Sequence, residues 1–459
     1  MSAVLASPKR SRTRAADHYL TFLMVVLLGY SLAGRGFAYI GAPPLFIGEV
    51  LLLSGLLVML RTGGVFATVS SLPGTLLAIL IVWVLARTLP YFGTYSFDAL
   101  RDSVIVMYGL LAFVVIALLY DEPERLRRLV LAYGGFAVFF VTVMPVVYPL
   151  FQLLNAQIPT WPRYGVPFVS LRPGEVGVHF AGVALFVLLG FRRLNALQLA
   201  MLVFGMALVA AHSRGGMLAI VVPLAIALAL VPRSRQLAPL LGIAAVTVIV
   251  ALVLNLEIEV SSRKLSVDQL VTNVMSILGT TDTATLDGTK QWRIMWWDKI
   301  IGYTVQGDHF WDGKGFGINL ADDDGFQVVD AEDGQVLRSP HNAHMTILAR
   351  AGVPGFVLWA ALLGSWSIFM MRAFLLARRN GDRAWARLFV FLFCYWLSIV
   401  INASFDVTLE GPMLGIWFWV LFGVGIAAGL IYRNELENRS PLPHCPLPHC
   451  PLPHCPLPH

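Results

Sequence analysis

The chain has 459 residues, of which 57% are hydrophobic and only 13% are charged, and its formal net charge is +6. Because a soluble globular protein carries about 25% charged residues, this composition excludes that class and indicates an integral membrane protein. The positive charge does not indicate nucleic-acid binding, since the basic residues form no stripe interleaved with aromatic side chains.

Apolar runs of about twenty residues predict membrane-spanning α-helices. The runs lie at about residues 18–40, 43–60, 74–92, 103–120, 127–149, 175–191, 197–211, 216–231, 237–256, 354–376, 386–403 and 413–432. We therefore predict an all-α fold, a polytopic inner-membrane helical bundle of about twelve transmembrane helices with one large outer loop. An outer-membrane barrel is excluded, because its strands of about ten residues alternate in polarity.

Basic residues are enriched in every second connection between the predicted spans. These connections carry Arg61, Arg125, Arg192, Arg233 and Arg378. Cytoplasmic connections attract Lys and Arg, so they should lie on the same side as the basic N-terminal tail. The long connection at 257–340 is rich in acids and should lie on the opposite side. We predict cytoplasmic N- and C-termini, and a long connection that faces the periplasm or its equivalent.

The predicted organisation has five parts. They are a cytoplasmic basic tail at 1–17, transmembrane helices 1–9 at 18–256, a large periplasmic loop at 257–340, transmembrane helices 10–12 at 341–432, and a cytoplasmic tail at 433–459. The tail repeats PLPHC, whose His and Cys side chains are possible zinc or copper ligands. Frequent proline favours a disordered tail without metal, and a reducing compartment disfavours disulfides there.

A cluster of polar and small residues, His212-Ser213-Arg214-Gly215-Gly216, lies where the seventh span ends and the eighth begins. Ionisable groups at that depth usually line a cavity or a substrate path. The glycines allow backbone N–H groups to approach an anion, and the following helix begins with its positive end. The turn therefore predicts a phosphate site, and a tight turn with a snorkelling arginine explains it equally well.

A second arginine, Arg293, lies among tryptophans in a stretch too short to span a membrane. Trp292, Trp296 and Trp297 predict a helix in the outer headgroup layer, which would hold Arg293 at the height of the lipid phosphates. Interfacial anchoring without a catalytic role is an equal alternative.

The run SPHNAH at 339–344 ends the outer loop and begins an apolar helix. Histidine suits proton transfer near neutral pH, and His341 and His344 are expected to share a helix face. A metal site is disfavoured because no third ligand stands at a recognisable spacing. Asn342 or Ser339 is an alternative assignment as a helix cap.

Four further features are weaker. The segment GKGFG at 313–317 resembles a phosphate loop only in its glycine content, so a nucleotide site is not expected. The acids at 322–324 fit a solvated loop better than a calcium site. The charges at 98–102 fit an interfacial ion cluster, and Asp406 and Glu410 are placed to pair with the site arginines.

In their order and spacing, the SRGG turn, the large loop before the tenth span, the GxGFG segment and the run HNxHxxxLARxGxxG resemble the O-antigen ligase and polymerase superfamily. The resemblance covers most of the chain, from His212 to Gly355 above all. It implies an inverting, metal-independent glycosyltransferase of the C-type, without a cofactor. Its donor would be a glycan on undecaprenyl diphosphate, and the enzyme would lie in the bacterial inner membrane with its active site facing the periplasm.

The resemblance also implies roles for individual residues. Arg214 and Arg293 match the arginines that hold the lipid diphosphate, and His341 matches the histidine that activates the acceptor hydroxyl. We expect supporting roles for Ser213, Gly215, Gly216, Asn342 and His344.

The sequence therefore leaves three functions open. The first is an O-antigen ligase-like transferase whose partners are the lipid-linked donor, a lipid or saccharide acceptor and membrane lipids, but not nucleic acid. The second is a polymerase of O-antigen or exopolysaccharide. The third is a transporter of a small anion such as bicarbonate, which is disfavoured because we find no internal repeat and the polar signals gather at the outer surface.

Overall fold

The structure is a computed structural model, and it describes residues 8–231, 237–253, 258–260, 263–265, 284–328 and 337–439. Predictions for the first seven residues, for the cysteines of the C-terminal repeat and for loop residues 266–283 and 329–336 lie outside this part of the chain.

The described residues are mostly helical. The helices before residue 254 are α1 Pro8–Ala33, α2 Arg35–Ala38, α3 Ile47–Met59, α4 Leu72–Tyr95, α5 Phe97–Met107, α6 Leu110–Asp121, α7 Glu124–Leu154, α8 Pro173–Leu188, α9 Ala196–His212, α10 Arg214–Leu230 and α11 Leu237–Val253. The later ones are α12 Ala284–Val305, α13 Leu320–Asp324, α14 Ala343–Arg379, α15 Arg383–Ala403 and α16 Pro412–Arg439. Short 3₁₀ helices lie at Val65–Val69 and Asn155–Gln157.

Strands are short and pair only with a neighbour in sequence. Gly41–Ala42 (β1) pairs antiparallel with Leu45–Phe46 (β2), with Gly41 opposite Phe46. Ile258–Val260 (β3) pairs antiparallel with Arg263–Leu265 (β4), with Ile258 opposite Leu265. The predicted all-α fold is therefore confirmed.

Within the described residues, six helices are long and apolar enough to cross a membrane, and the pair α5 and α6 adds a seventh if its 40° bend belongs to one span. Five shorter apolar helices accompany them, among them α8, α9 and α10. This confirms a multi-pass membrane protein. The number of twelve spans and their orientation stay predictions.

Several element boundaries differ from those predicted. The run at 103–120 forms two helices, because the chain turns at Tyr108 and Gly109. Helix α16 continues to Arg439, so the start of a disordered tail at residue 433 is wrong. The predicted loop 257–340 contains the long helix α12, and the tenth predicted span is the second part of a longer helix, α14.

Helix α16 is the centre of the bundle. Of its most apolar stretch 94% is buried, against 33% for α7. A helix that is apolar on all sides is stable only when other helices surround it. Trp419 donates its indole N–H to the Ile105 carbonyl, and Phe422 accepts the indole N–H of Trp366 on α14. These bonds satisfy the polar groups of large side chains that fill the core.

Helix α14 breaks at Gly352, whose backbone lies at φ 70° and ψ −176°. Residues other than glycine rarely adopt this conformation. Pro354 follows and has no N–H to donate. The break therefore removes the intrahelical donors of the Ala349 and Arg350 carbonyls.

The glycine-rich segment 313–317 replaces those donors. Lys314 and Gly315 donate their backbone N–H groups to the two carbonyls at 2.7 and 3.0 Å. Val353, in turn, donates its N–H to the Phe310 carbonyl at 2.8 Å. The segment thus supplies the hydrogen bonds that the broken helix lacks. This structural function accounts for its glycines without phosphate binding.

A buried carboxylate joins the same segment to the bundle. Asp102 on α5 accepts bonds from Arg350 at 3.0 Å, from Arg338 at 3.1 Å and from the Gly317 N–H at 3.2 Å. The Arg350 side chain is only 1% exposed. The predicted ion cluster at 98–102 is thus present, and it extends to arginines that the sequence did not connect with it.

We predict that Gly352→Ala destabilises the protein. A Cβ there would lie 2.7 Å from the Phe310 carbonyl oxygen and would force a strained φ. Strain of this kind alone costs about 1–3 kcal/mol. The melting temperature of the purified protein in detergent should fall clearly.

The matched control is Gly364→Ala on the same helix, where an added Cβ would have no atom within 4 Å. It should leave the melting temperature unchanged or raise it. Equal melting temperatures of the two variants would contradict the proposed need for glycine at residue 352.

Candidate functional site

The loop 404–411 between α15 and α16 brings together segments that are distant in sequence. The carbonyl of Phe405 accepts a hydrogen bond from Arg293 Nη1 at 3.0 Å. The side chain of the same residue lies against the SRGG turn, since a Cβ on Gly215 would be 3.0 Å from Phe405 Cβ. Two of the predicted cation-bearing segments therefore meet at one residue.

The SRGG turn begins helix α10 as predicted. Ser213 is the N-cap, and its hydroxyl accepts the Gly216 N–H at 3.1 Å. Arg214 is the first helical residue and is partly buried. An arginine on the first turn, beside the positive end of a helix, is suited to an anion.

Arg293 lies on helix α12, which packs beside the loop 404–411. One turn later, Trp297 donates its indole N–H to the Pro340 carbonyl at 3.0 Å, directly before His341. Trp296 is fully buried and donates to the Asp324 carboxylate at 2.7 Å. The prediction that the tryptophans here face the headgroup layer is thus wrong for Trp296, which packs inside the protein.

His341 does not lie on the helix that follows it. Its φ is 51°, and helix α14 begins only at Ala343. Asn342 is the N-cap, with its side-chain oxygen accepting the N–H groups of His344 at 2.9 Å and Met345 at 3.1 Å. The predicted common helix face for the two histidines is therefore wrong, and the alternative assignment of Asn342 as a cap is confirmed.

His341 faces a carboxylate instead. Its Nδ1 lies 3.9 Å from Asp406 Oδ1, and the same oxygen accepts a bond from Arg172 at 3.2 Å. Burial alone would raise the pKa of the Asp406 carboxyl, but the Arg172 charge, His341 and the Val407 N–H lower the pKa to about 2. Asp406 is thus an anion at neutral pH beside a histidine that is 17% exposed.

His344 is held from both sides of its ring. The Trp359 indole donates to Nδ1 at 2.9 Å, and Nε2 lies 3.1 Å from the Ser404 hydroxyl. Because Nδ1 accepts a hydrogen bond, the proton of the neutral ring is on Nε2. Ser404 in turn donates to the Val400 carbonyl at 3.0 Å. His344 therefore fixes the loop 404–411 against α14.

A second carboxyl in the loop, Glu410, is also enclosed. It accepts the Thr346 hydroxyl at 2.7 Å. Burial raises the pKa of Glu410, and the Arg350 charge and hydrogen bonds from Ser339 and Thr346 oppose the rise only in part. The two acids of this loop thus differ in charge preference, because only Asp406 has an arginine in direct contact.

The acids at 322–324 do not form a uniformly solvated loop. Asp324 is buried and accepts Lys314 Nζ at 2.6 Å, so the predicted solvated loop is wrong for this residue. Asp322 accepts side-chain amides of Asn319 and Gln327. In the part of the chain that the structure describes, no group of three or more His, Cys, Asp or Glu side chains is arranged to hold a metal ion.

Sequence reasoning missed Arg172 and Arg350. Arg172 precedes the proline that begins α8, so an arginine at the mouth of a span was the available signal. Arg350 lies in an apolar stretch of α14, and a charge there is a signal of the same kind. Nothing in the sequence indicated that Phe405 contacts Arg293, because the contact is made by the backbone carbonyl of Phe405.

Residues 199–360 match the family described as O-Antigen ligase. The match covers about a third of the 459 residues, and over this part the chain is similar to that family. The matched residues run from α9 into α14 and include the SRGG turn, Arg293 and His341, so the predicted resemblance is confirmed. The match supports an O-antigen ligase-like or polymerase-like membrane enzyme of glycosyl transfer. No curated protein matches the sequence.

We predict that Glu410→Gln changes the pH dependence of stability. With the pKa of Glu410 raised in the folded protein, the unfolded chain loses this proton at a lower pH than the folded chain does. Stability contributed by this group therefore falls as pH rises from about 4.5 through the raised pKa. The melting temperature of the variant, relative to wild type, should rise with pH over that window.

Glu124→Gln serves as the control, since Glu124 is exposed at the start of α7. Its melting temperature should follow the wild-type pH profile. A difference between Glu410→Gln and wild type that stays constant or shrinks as pH rises would contradict the assignment.

Proposed function

We propose that the protein transfers a glycan from undecaprenyl diphosphate to an acceptor hydroxyl, as an O-antigen ligase does. The observation that carries the proposal is the loop 404–411, which contacts Arg293, the SRGG turn, His341 and His344. Segments with suitable cations thus surround one histidine with an accessible ring.

Arg214 and Arg293 are assigned to the diphosphate. As the bond between the anomeric carbon and the phosphate oxygen breaks, negative charge grows on the leaving group. Cations that are already in place stabilise that charge more than they stabilise the intact donor. Arginine suits this function because its planar guanidinium donates paired hydrogen bonds to phosphate oxygens.

His341 is assigned as the general base. It takes the proton of the acceptor hydroxyl while the hydroxyl oxygen bonds to the anomeric carbon, and undecaprenyl diphosphate leaves on the opposite side with inversion. The imidazolium formed in this step lies 3.9 Å from the Asp406 carboxylate, which stabilises it. No protein nucleophile is needed for this reaction.

The supporting residues act by position. Asn342 caps α14 and fixes the backbone next to the base, while His344 holds Ser404 beside Phe405 and Asp406. Gly215 allows the close approach of Phe405 to the SRGG turn, and Gly216 allows that of Val209 on α9. In the proposed orientation this end of the bundle faces the periplasm, and both termini are cytoplasmic.

The direct test incubates purified protein with a lipid-diphosphate oligosaccharide and separate candidate acceptors. We expect release of undecaprenyl diphosphate together with a glycosylated acceptor, without added metal. Elongation of the donor glycan in place of transfer to another acceptor would identify a polymerase. Absence of both products with every acceptor, from protein that binds the donor, would count against glycan transfer.

His341→Ala should lower turnover by about 10²–10⁴ while the donor remains bound, because a base acts on the barrier and not on ground-state binding. His344→Ala should lower turnover less. Turnover and donor affinity are measured separately. His309→Ala serves as the control, because the His309 side chain is 41% exposed. Near-normal turnover of His341→Ala would remove the base from the mechanism.

Arg214→Lys and Arg293→Lys should each weaken donor binding and turnover, roughly tenfold or more, since an ammonium keeps the charge but not the paired bonds. Arg101→Lys, at a side chain 61% exposed, should leave both unchanged. Donor affinity and turnover are compared in variants with wild-type melting temperature. Wild-type kinetics in Arg293→Lys would assign that residue to structural anchoring alone.

A further inference from the structure

A cavity of about 380 Å³ lies between the C-terminal parts of α14 and α16, far from the loop 404–411. Its lining includes three arginines, two leucines and a tyrosine: Arg372, Arg379, Arg433, Leu375, Leu376 and Tyr432. The volume is within the range of about 300–1,000 Å³ that small-molecule sites occupy. The candidate glycosyl-transfer site uses none of these residues.

The charge of the cavity is positive. Arg372 and Arg379 lie seven residues apart, on one face of α14. The guanidinium of Arg433 lies over the Phe369 ring, 5.4 Å from its centroid. Across the described ranges, no acidic side chain forms an ion pair with any of these three arginines. Their charge is thus available to an anion.

The Asp382 carboxylate, which contacts this lining through Tyr432, has an arginine partner outside the lining. Asp382 accepts the Tyr432 hydroxyl at 2.7 Å and also binds Arg439. These bonds lower the pKa of Asp382, with the Tyr432 bond as the main cause. The tyrosine is therefore fixed as a wall of the cavity, and the carboxylate is already neutralised.

The leucines make the cavity amphipathic. Leu375 is 41% and Leu376 is 36% exposed, although both lie beside arginines on a membrane helix. Free phosphate would gain nothing from this apolar surface. A phospholipid would place its phosphate among the arginines and its acyl chains along the leucines.

The depth of the cavity fits a lipid headgroup. From Gly352 to Arg372 the helix extends by about 30 Å, which equals the thickness of the hydrocarbon core. A bilayer with one hydrocarbon boundary at Gly352 would therefore place the cavity at headgroup height in the leaflet opposite the loop 404–411. We infer that it binds the phosphate headgroup of an anionic phospholipid.

The test uses the purified full chain in detergent, without glycan donor, so that its result is independent of the proposed enzymatic function. Dioleoylphosphatidylglycerol, dioleoylphosphatidylcholine and inorganic phosphate are added in separate titrations. Lipid retained by the protein is counted by native mass spectrometry, and the melting temperature is followed in parallel. We expect phosphatidylglycerol to be retained and to raise the melting temperature more than either of the other two.

Arg372→Gln and Arg433→Gln should each weaken phosphatidylglycerol binding about fivefold, which corresponds to about 1 kcal/mol per basic residue. Arg378→Gln is the matched control, because Arg378 is exposed on the same helix but outside the lining. It should bind like wild type. Equal retention of both lipids, equal losses in Arg378→Gln, or equal stabilisation by inorganic phosphate would each overturn the lipid site.

Discussion

The Asp102 carboxylate binds two arginines and a backbone N–H, and these three partners come from the segments that surround the candidate site. Arg338 lies just before His341, Arg350 lies on α14, and Gly317 belongs to the segment that completes the broken helix. Removing one partner of a buried ion pair leaves an uncompensated charge, at a cost of about 3–5 kcal/mol. The relative positions of Gly317, Arg338 and Arg350 therefore depend on this carboxylate.

The candidate site itself depends on the loop 404–411. Transfer from a diphosphate carrier needs cations on one side of the anomeric carbon and a base on the other. In the proposed reaction the loop would serve both needs with few residues, because Phe405 contacts the segments that carry Arg214 and Arg293 while Asp406 faces His341. The Asp406 carboxylate also binds Arg172, so its negative charge stays beside His341, the proposed base, and away from Arg214 and Arg293, the proposed diphosphate ligands.

Much of this architecture is predictable from the sequence, and the reasons are physical. Apolar runs long enough to cross a membrane predicted the helices, and the polar interruption at 212–216 predicted where α9 ends and α10 begins. The family resemblance likewise rested on charged and polar residues, which are rare in membrane-spanning helices. Contacts made by backbone groups, such as the Phe405 carbonyl, were not predictable, because every residue has a carbonyl and its type does not reveal the contact.

The wrong predictions have equally specific causes. Spacing placed His341 and His344 on one helix face, but the Asn342 side chain caps the helix and leaves His341 outside it. A group of tryptophans indicated a membrane interface, but the indole N–H of Trp296 donates to the buried Asp324 carboxylate. The two residues are far apart in sequence, so this hydrogen bond could not be predicted. In both cases a side-chain hydrogen bond decided the outcome.

The break in α14 has a consequence for the order in which the protein is assembled. An unpaired carbonyl in a water-poor environment costs several kcal/mol, so α14 is complete only when Lys314 and Gly315 have reached it. Those donors precede α14 in the chain and are therefore synthesised first. Formation of α14 is thus coupled by hydrogen bonding to a segment that has already been synthesised when the helix leaves the ribosome.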